Sequence, residues 1–438
     1  MSLALIRGLI YLSVTPPWQS PDETGHFEYA WLIAHLGRLP NGNDLSASFE
    51  RELLGSLYEW RYGEYIGRPL PEQMPARLND LPSSIFAQRS RTVGNRFSPA
   101  YLWQALFVWP FRHQDLALQL CAARFSSVVL NMVIVWLAWR IFAEVMPRSP
   151  GWATAMTAFV VFLPQHTSIN ASVNEGPLAE LGACVVLYGW LRLFQRVHRS
   201  DIVAVLGGTV LGLWTKSTAA FLLPLDALVL VLFTVRHNRG TSWSRRLKYV
   251  SLSLALVVLL GLVALQTPSG RWVHALLQQW LASPQLYLEN ERTSLDQVLW
   301  QSFDSFWAQF GWMNVRVGPA WYLLAYILTW VAIEGWAFPR LSLGFIHPQA
   351  TWLLGTALLL AVAVWLIFVV ITPFGLAYSM GRYLFPAVAP AAFFLVGGWA
   401  RWTPVHWQSY FAPGVMILLA SMDAAAFCLA LLPYFYGG

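Results

Sequence analysis

Three ionisable side chains, Asp22, Glu23 and His26, stand together just after a short apolar segment, in the run Pro16-Pro17-Trp18-Gln19-Ser20-Pro21-Asp22-Glu23-Thr24-Gly25-His26-Phe27. On a helix Asp22 and His26 share one face. A carboxylate and an imidazole placed so suit a general base with an orienting partner, or the ligation of a divalent cation. A plainer reading covers part of the pattern. With Ser20 as N-cap, Pro21 at the first helical position and Glu23 at the third, the run makes a capping box. Acidic residues also suit the positive end of a helix. That account explains Glu23 well and Asp22 partly, and leaves His26 unexplained.

The elements that carry these residues follow from composition. Hydrophobic residues make up 57% of the 438 positions and charged residues 11%, against roughly a quarter charged in soluble domains. Such a chain is an all-α polytopic membrane protein. Apolar runs near 2–17, 117–139, 152–169, 177–194, 202–219, 220–235, 249–267, 320–337, 351–372, 383–400 and 411–434 give about eleven transmembrane helices, at about 20 residues each. The first is short and leads into Pro16-Pro17 without a small-x-small cleavage site, so it reads as a helix and not a signal peptide. The net charge of +6 is carried almost wholly by arginine, with Lys216 and Lys248 the only lysines, and it is scattered between apolar runs. That distribution marks topology and not a nucleic-acid surface. Cys121, Cys184 and Cys428 all lie in apolar stretches, which does not suggest a disulfide framework.

The clusters Arg140/Arg148, Arg192/Arg196/Arg199 and Arg236/Arg239/Arg245/Arg246/Lys248 fall between alternate helices. Basic loops stay in the cytoplasm, which puts the N-terminus inside, the C-terminus outside, and two large loops, 18–116 and 268–319, outside. In the first, Phe27, Trp31 and Leu32 recur at helical spacing beside Glu28 and His35, as in amphipathic helices lying on a membrane surface. No Walker A loop, GxGxxG or internal repeat interrupts residues 1–438, which read as one transmembrane domain.

Ser20-Pro21-Asp22-Glu23 with His26-Phe27, directly after the first helix, resembles the first outer loop of GT-C glycosyltransferases, in particular the bacterial branch catalogued as DUF2142. It is also similar to the Asp-Glu motif of the aminoarabinose and protein-O-mannosyl transferases. Further segments agree in order. Arg96-Phe97-Ser98-Pro99-Ala100-Tyr101-Leu102 resembles a Pro-Pro-Leu-Tyr-Tyr-like segment with Ser98 in place of one proline. Ser172-Val173-Asn174-Glu175 resembles Ser-x-Asn-Asp with Glu for Asp, and Leu213-Trp214-Thr215-Lys216-Ser217-Thr218 a Leu-x-Lys-x-Thr helix end. Ser305 to Trp312 and Gly381-Arg382-Tyr383-Leu384-Phe385-Pro386 match two more signatures.

The resemblance implies a GT-C-like fold, a sugar donor on a polyprenyl phosphate, and an outer-loop acid acting as catalytic base or metal ligand. Asp22 inherits that role, with Glu23 second. A lipid phosphate at the outer interface needs fixed cations, and arginine suits its forked geometry. Lys216 lies roughly 22 Å along a helix that starts near Asp201, Arg382 opens the tenth helix from outside, and Arg96 precedes an apolar segment. Snorkelling of long basic side chains is the bland account of each. Asn174, Glu175 and His166 sit in the next outer loop as candidates for holding sugar or metal. Trp312 and Tyr383 are candidates for contacting sugar, although interfacial anchoring gives the same aromatic composition. Asp304 and Asn314 are polar candidates without a role, while Asp226, Asp423, Arg124 and Glu180 suit helix–helix bonding. No cofactor is required, and a divalent cation, Mg or Mn, with Asp22 as its ligand is the one candidate. The expected partners are a polyprenyl-phosphate-linked sugar, a glycan, lipid or protein acceptor, and membrane lipid, with no nucleic acid. The expected location is the bacterial cytoplasmic membrane with the site facing the periplasm or exterior. Two other classes compete: a transporter or flippase of a lipid-linked glycan, and a non-catalytic envelope-assembly scaffold.

Overall fold

In lipid every backbone polar group has to be satisfied internally, and a helix does this within one segment. The computed structural model describes residues 1–83, 85–86, 97–147, 149–237, 243–283, 295–338, 348–371 and 380–437, and these are almost wholly helical. The first helix, α1 (Ser2–Val14), leads into a long segment between α1 and the central bundle, holding α2 (Glu23–Leu36), α3 (Ala47–Glu59), the single turn α4 (Tyr62–Tyr65) and α5 (Pro99–Val108). The central bundle follows: α6 (Leu116–Val145), α7 (Pro150–Phe162), α8 (Pro164–Asn170), α9 (Gly176–Gln195), α10 (Arg199–Thr215), α11 (Leu222–His237) and α12 (Trp243–Gln266). A second long segment contains α13 (Pro268–Ala282), α14 (Leu295–Trp307) and a small hairpin of β1 (Gln309–Phe310) and β2 (Val315–Arg316), with Gln309 opposite Arg316. The chain ends with α15 (Pro319–Ala337), α16 (Pro348–Ile371), α17 (Val388–Trp402), α18 (Gln408–Ala426) and α19 (Leu432–Tyr436).

Seven helical stretches among the described residues are long and apolar enough to cross a membrane: 116–145, 176–195, 217–235, 319–337, 348–369, 381–402 and 408–436. The protein is therefore a multi-pass membrane protein. The figure of about eleven expected from the sequence exceeds these seven. Helices α1 and α7 are apolar but only 13 residues long, which covers about 20 Å of a core about 30 Å thick. The apolar run at 152–169 does not form one helix. Pro164 cannot continue a helix and drives Leu163 into an extended conformation (φ −69°, ψ 110°), so α7 stops and α8 begins. A second break falls at Lys216, which is extended (φ −153°, ψ 140°) between α10 and a 3-10 turn over Ser217–Phe221 that feeds α11.

Two large buried cores form among the described residues. One lies among the membrane helices. The other belongs to the segment after α1, where Trp18, Phe27, Phe49, Leu57, Tyr62 and Tyr101 pack together. This changes the expectation for α2. Twelve of its fourteen residues are buried, Glu28 included, so α2 is the centre of this second core and not an amphipathic helix on the membrane surface. Nor does the capping box form. Helix α2 begins at Glu23, and its N-cap is Asp22 in the left-handed region (φ 61°, ψ 10°) with no side-chain cap bond. Two buried carboxylates inside the bundle are bonded: Asp423 takes Arg7 and the Tyr11 hydroxyl (3.0 Å), and Asp226 accepts from Trp190 Nε1 (2.6 Å) and from Thr209. At the C-terminal end of α6, Arg192 lies between Glu144 (3.6 Å) and Asp201 (3.9 Å). The candidate site lies toward the opposite end of the same helix.

Candidate functional site

Asp22 sits in a loop with two non-glycine residues in left-handed conformations, Trp18 (φ 68°) and Asp22 (φ 61°). Such conformations persist only where the surroundings over-determine them. Here three anchors do so. Arg124, 2% exposed, donates to the Leu12 (3.2 Å), Thr15 (2.6 Å) and Pro16 (2.9 Å) carbonyls and to both oxygens of Glu23 (2.8 and 2.7 Å). Those bonds occupy all five guanidinium donors and join α6 to both ends of the loop. On the far side, Trp18 Nε1 donates to Ser56 Oγ (2.8 Å), and Trp312 Nε1 donates to the Trp18 carbonyl (2.9 Å). Trp312 lies in the turn of the β1–β2 hairpin, where Gly311 and Met313 are also left-handed. Its ring stands edge-on to Tyr62 at 6.1 Å. Burial, and then the negative charge of Asp22, push the Tyr62 phenol well above its ordinary value, so the wall beside Asp22 carries an un-ionised hydroxyl.

The loop so held presents Asp22 with its side chain half exposed, and Arg382 Nη2 stands 3.9 Å from Asp22 Oδ2. Arg382 belongs to a 3-10 segment, Gly381–Ala387, ahead of α17. That segment is fastened to α14: Gly381 N donates to Ser305 Oγ (2.8 Å), and a Cβ on residue 381 would meet the Ser302 carbonyl oxygen and lie 2.5 Å from Phe306 N and Cβ. Only glycine allows this approach. The next residue, Tyr383, joins the cations. Arg382 Cζ lies 5.4 Å from its ring centroid and Lys216 Nζ lies 5.7 Å from the same centroid. Within the Arg382 side chain, 11% exposed, Nε is buried with no hydrogen-bond partner. A carboxylate from the first loop, an ammonium from the end of α10 and a guanidinium from the last third of the chain thus share one neighbourhood. Fixed cations of this kind can hold an anion, and a carboxylate beside them can take a proton from a hydroxyl.

The other sequence candidates fall elsewhere. Glu23 is fully buried and both its oxygens are engaged by Arg124, with Oε1 also accepting from Val173 N (3.2 Å). It anchors the loop and offers no base. His26 is buried and packs on α5, with Nδ1 2.8 Å from Tyr101 Oη. Glu175 is fully buried and accepts from the Tyr101 hydroxyl (2.8 Å). Asn174 is tied into its own turn: Oδ1 accepts from Gly176 N (2.6 Å), and Nδ2 donates to the Ile169 carbonyl (2.8 Å) and Ser172 Oγ (3.0 Å). Its side chain is thus committed to the turn that leads into α9. His166 is buried against Glu180 (2.7 Å). Asp304 pairs with Arg316, and Asn314 donates to the Tyr65 carbonyl (2.6 Å). Arg96 lies outside the described residues. Among the described residues no group of three His, Cys, Asp or Glu side chains can hold a metal ion. Asp22 faces a guanidinium and Glu23 is committed to Arg124, so these side chains do not make a protein cage for a divalent cation.

Sequence reasoning noted Arg124 only as a structural charge, gave Tyr101 and Ser305 no role of their own within the segments that contain them, and missed Tyr62. An arginine within an apolar helix is the one signal that stood out, since an intramembrane charge requires a partner. No curated protein matches the chain. Residues 5–390, a span that includes Asp22, Lys216 and Arg382, match the model of a family described as predicted membrane protein (DUF2142), and the chain belongs to that family.

Proposed function

We propose that the protein is a glycosyltransferase of GT-C type, moving a sugar from a polyprenyl phosphate to an acceptor hydroxyl at the outer face of a bacterial cytoplasmic membrane. The observation that carries the proposal is the meeting of Asp22, Arg382 and Lys216 around Tyr383. In this reading α10, α12 and the two short helices are further crossings beyond the seven long apolar stretches, α1 and α7 crossing only together with the segments that follow them, which makes about eleven. The basic cluster at the C-terminal end of α6 then faces the cytoplasm and the Asp22 loop faces out.

The donor phosphate lies against Arg382 and Lys216, its tail among the helices, and the acceptor hydroxyl enters from the aqueous side beside Asp22. The hydroxyl oxygen attacks the anomeric carbon in line, its proton passes to a carboxylate oxygen of Asp22, and the bond from the anomeric carbon to the phosphate oxygen breaks. Polyprenyl phosphate leaves with the bonding pair, its charge balanced by the two cations, and the anomeric configuration inverts. General-base help of this kind is worth about 10²–10⁴ in rate, and fixed cations at the leaving phosphate contribute at least comparably. The test is release of polyprenyl phosphate from a radiolabelled polyprenyl-phosphate sugar by purified protein. Wild type should release it in the presence of acceptor. Asp22→Asn should lose at least about a hundredfold in rate while still binding the lipid. Transfer at the wild-type rate by Asp22→Asn removes the base assignment.

A further inference from the structure

Helix α6 holds the Asp22 loop near its start, through Arg124, and carries Arg140 about 24 Å further along. Between them runs an apolar stripe. Leu118, Phe125, Val133 and Trp136 recur at helical spacing on one side of α6, and each is more than a third exposed. In a bilayer that stripe faces lipid, and Arg140 stands at its end, away from the Asp22 loop. Trp139, also exposed, lies beside it where an interfacial anchor belongs.

Arg140 has an ordinary partner within reach and does not use it. Glu144 is four residues on, on the same face of α6. Its carboxylate is engaged from α9 instead, by Arg192 (3.6 Å) and by Gln195 Nε2 (2.8 Å). Arg140 turns to Tyr188 on α9. Its Nη2 donates to the Tyr188 hydroxyl (2.6 Å), and its Cζ lies 5.4 Å from the Tyr188 ring centroid and 5.8 Å from that of Trp136. A guanidinium has five N–H donors, and only this one is engaged among the described residues. Nor does any carboxylate among them pair with Arg140. Arg192 stands on the same Tyr188 ring (6.0 Å), but Glu144 and Asp201 balance its charge. The exposed Arg196 and Arg199 add positive charge at the same end of the bundle. An arginine that merely snorkels is free to swing toward water, whereas Arg140 is fastened by a hydrogen bond and two rings.

We propose that Arg140, Tyr188 and Trp136 form a seat for the phosphate of an anionic phospholipid, whose acyl chain lies along the exposed stripe of α6. The phosphate oxygens accept from the N–H groups of Arg140 that Tyr188 leaves open, a geometry that the planar guanidinium fork matches. Basic pockets between membrane helices take lipid headgroups in this way. The seat lies at the opposite end of α6 from the Asp22 loop and stands independently of the transferase reading.

The test is native mass spectrometry of delipidated full-length protein in detergent, titrated with phosphatidylglycerol or with phosphatidylcholine of the same acyl chains, whose phosphate is balanced by choline. Wild type should prefer phosphatidylglycerol. Arg140→Gln should weaken phosphatidylglycerol binding by about tenfold to a hundredfold, the worth of one charged hydrogen-bonding group, and leave phosphatidylcholine unchanged. Arg140→Lys keeps the charge without the fork and should recover only part of the loss. Tyr188→Phe keeps the ring but frees Nη2, and should weaken binding by about a few-fold. It decides the question if Arg140→Gln does not fold, since unchanged affinity in Tyr188→Phe overturns the seat. Arg112→Gln removes another arginine set over a tryptophan, Trp109 at 4.8 Å, and should change nothing. An equal loss in Arg112→Gln, or equal affinity of wild type for the two lipids, reduces Arg140 to general interfacial attraction and overturns the proposal. Phosphatidylglycerol retained against a large excess of inorganic phosphate supports a lipid ligand, and its displacement assigns the seat to soluble phosphate and overturns the lipid.

Discussion

Substituting Gly381 by alanine tests whether the cations are placed as a unit. A Cβ there lies 2.5 Å from Phe306 N, where ordinary contact begins near 3.4 Å, and it also meets the Ser302 carbonyl oxygen. Both are backbone atoms of α14, so no side-chain rotation relieves the clash. The segment has to retreat by at least the difference, about 0.9 Å, and by more to clear the Ser302 carbonyl oxygen, carrying Arg382 and Tyr383 with it and stretching the bond from Gly381 N to Ser305 Oγ. Over-packing of this size costs about 1–3 kcal/mol of stability, which leaves a protein of this size folded. Its effect on chemistry is larger, because a displacement of roughly 1 Å at a reacting centre costs about a hundredfold. The assay is polyprenyl phosphate release together with binding of polyprenyl phosphate in detergent. Gly381→Ala should lose both, transfer by about two orders of magnitude. Gly207→Ala, whose Cβ would meet nothing within 4 Å, is the control and should lose neither. Transfer by Gly381→Ala within a few-fold of wild type would mean that the Arg382 segment does not hold the leaving phosphate.

Arg382→Ala should weaken polyprenyl phosphate binding by about tenfold to a hundredfold, the worth of one charged hydrogen-bonding group, measured as Kd by fluorescence quenching. Arg124→Met strands the buried Glu23 carboxylate and three carbonyls, and should cost about 3–5 kcal/mol in denaturant unfolding. The double variant Arg124→Met, Glu23→Met should recover part of that loss, and strictly additive losses would deny the pair its coupling. Trp312→Phe keeps a ring against Tyr62 but removes the indole N–H from the Trp18 carbonyl, at a cost of about 1 kcal/mol. It should lower kcat without changing lipid affinity, so an equal fall in both would assign Trp312 to the donor side.

Local pattern carried the helices and failed where distant partners decide. The apolar runs located the seven long apolar helices because hydropathy acts within one segment. The placement of a break needs only a proline, as at Leu163-Pro164, or an extended residue such as Lys216. The first turn of α2 was misread for a different reason. Ser20, Pro21 and Glu23 have the spacing of a capping box, but Glu23 is drawn to Arg124, 101 positions away, and Asp22 takes the N-cap in a left-handed conformation. Likewise Glu28 and His35 looked like the wet face of a surface helix. Polar side chains are buried without penalty when they are bonded; Glu28 is buried, and His35 reaches the Arg112 carbonyl, 77 positions on. The same logic explains which site residues could be named early. Asp22, Lys216 and Arg382 stand at the ends of apolar runs, where charge is visible against its background. The groups that hold the Asp22 loop and the Arg382 segment, Trp18, Trp312, Ser305 and Gly381, are unremarkable by type, and acquire their roles only from the fold. A site of this kind is therefore half legible: its charges can be read from composition, but the geometry that brings a carboxylate and two cations together is a property of the long-range bonds to Arg124, Trp312 and Ser305.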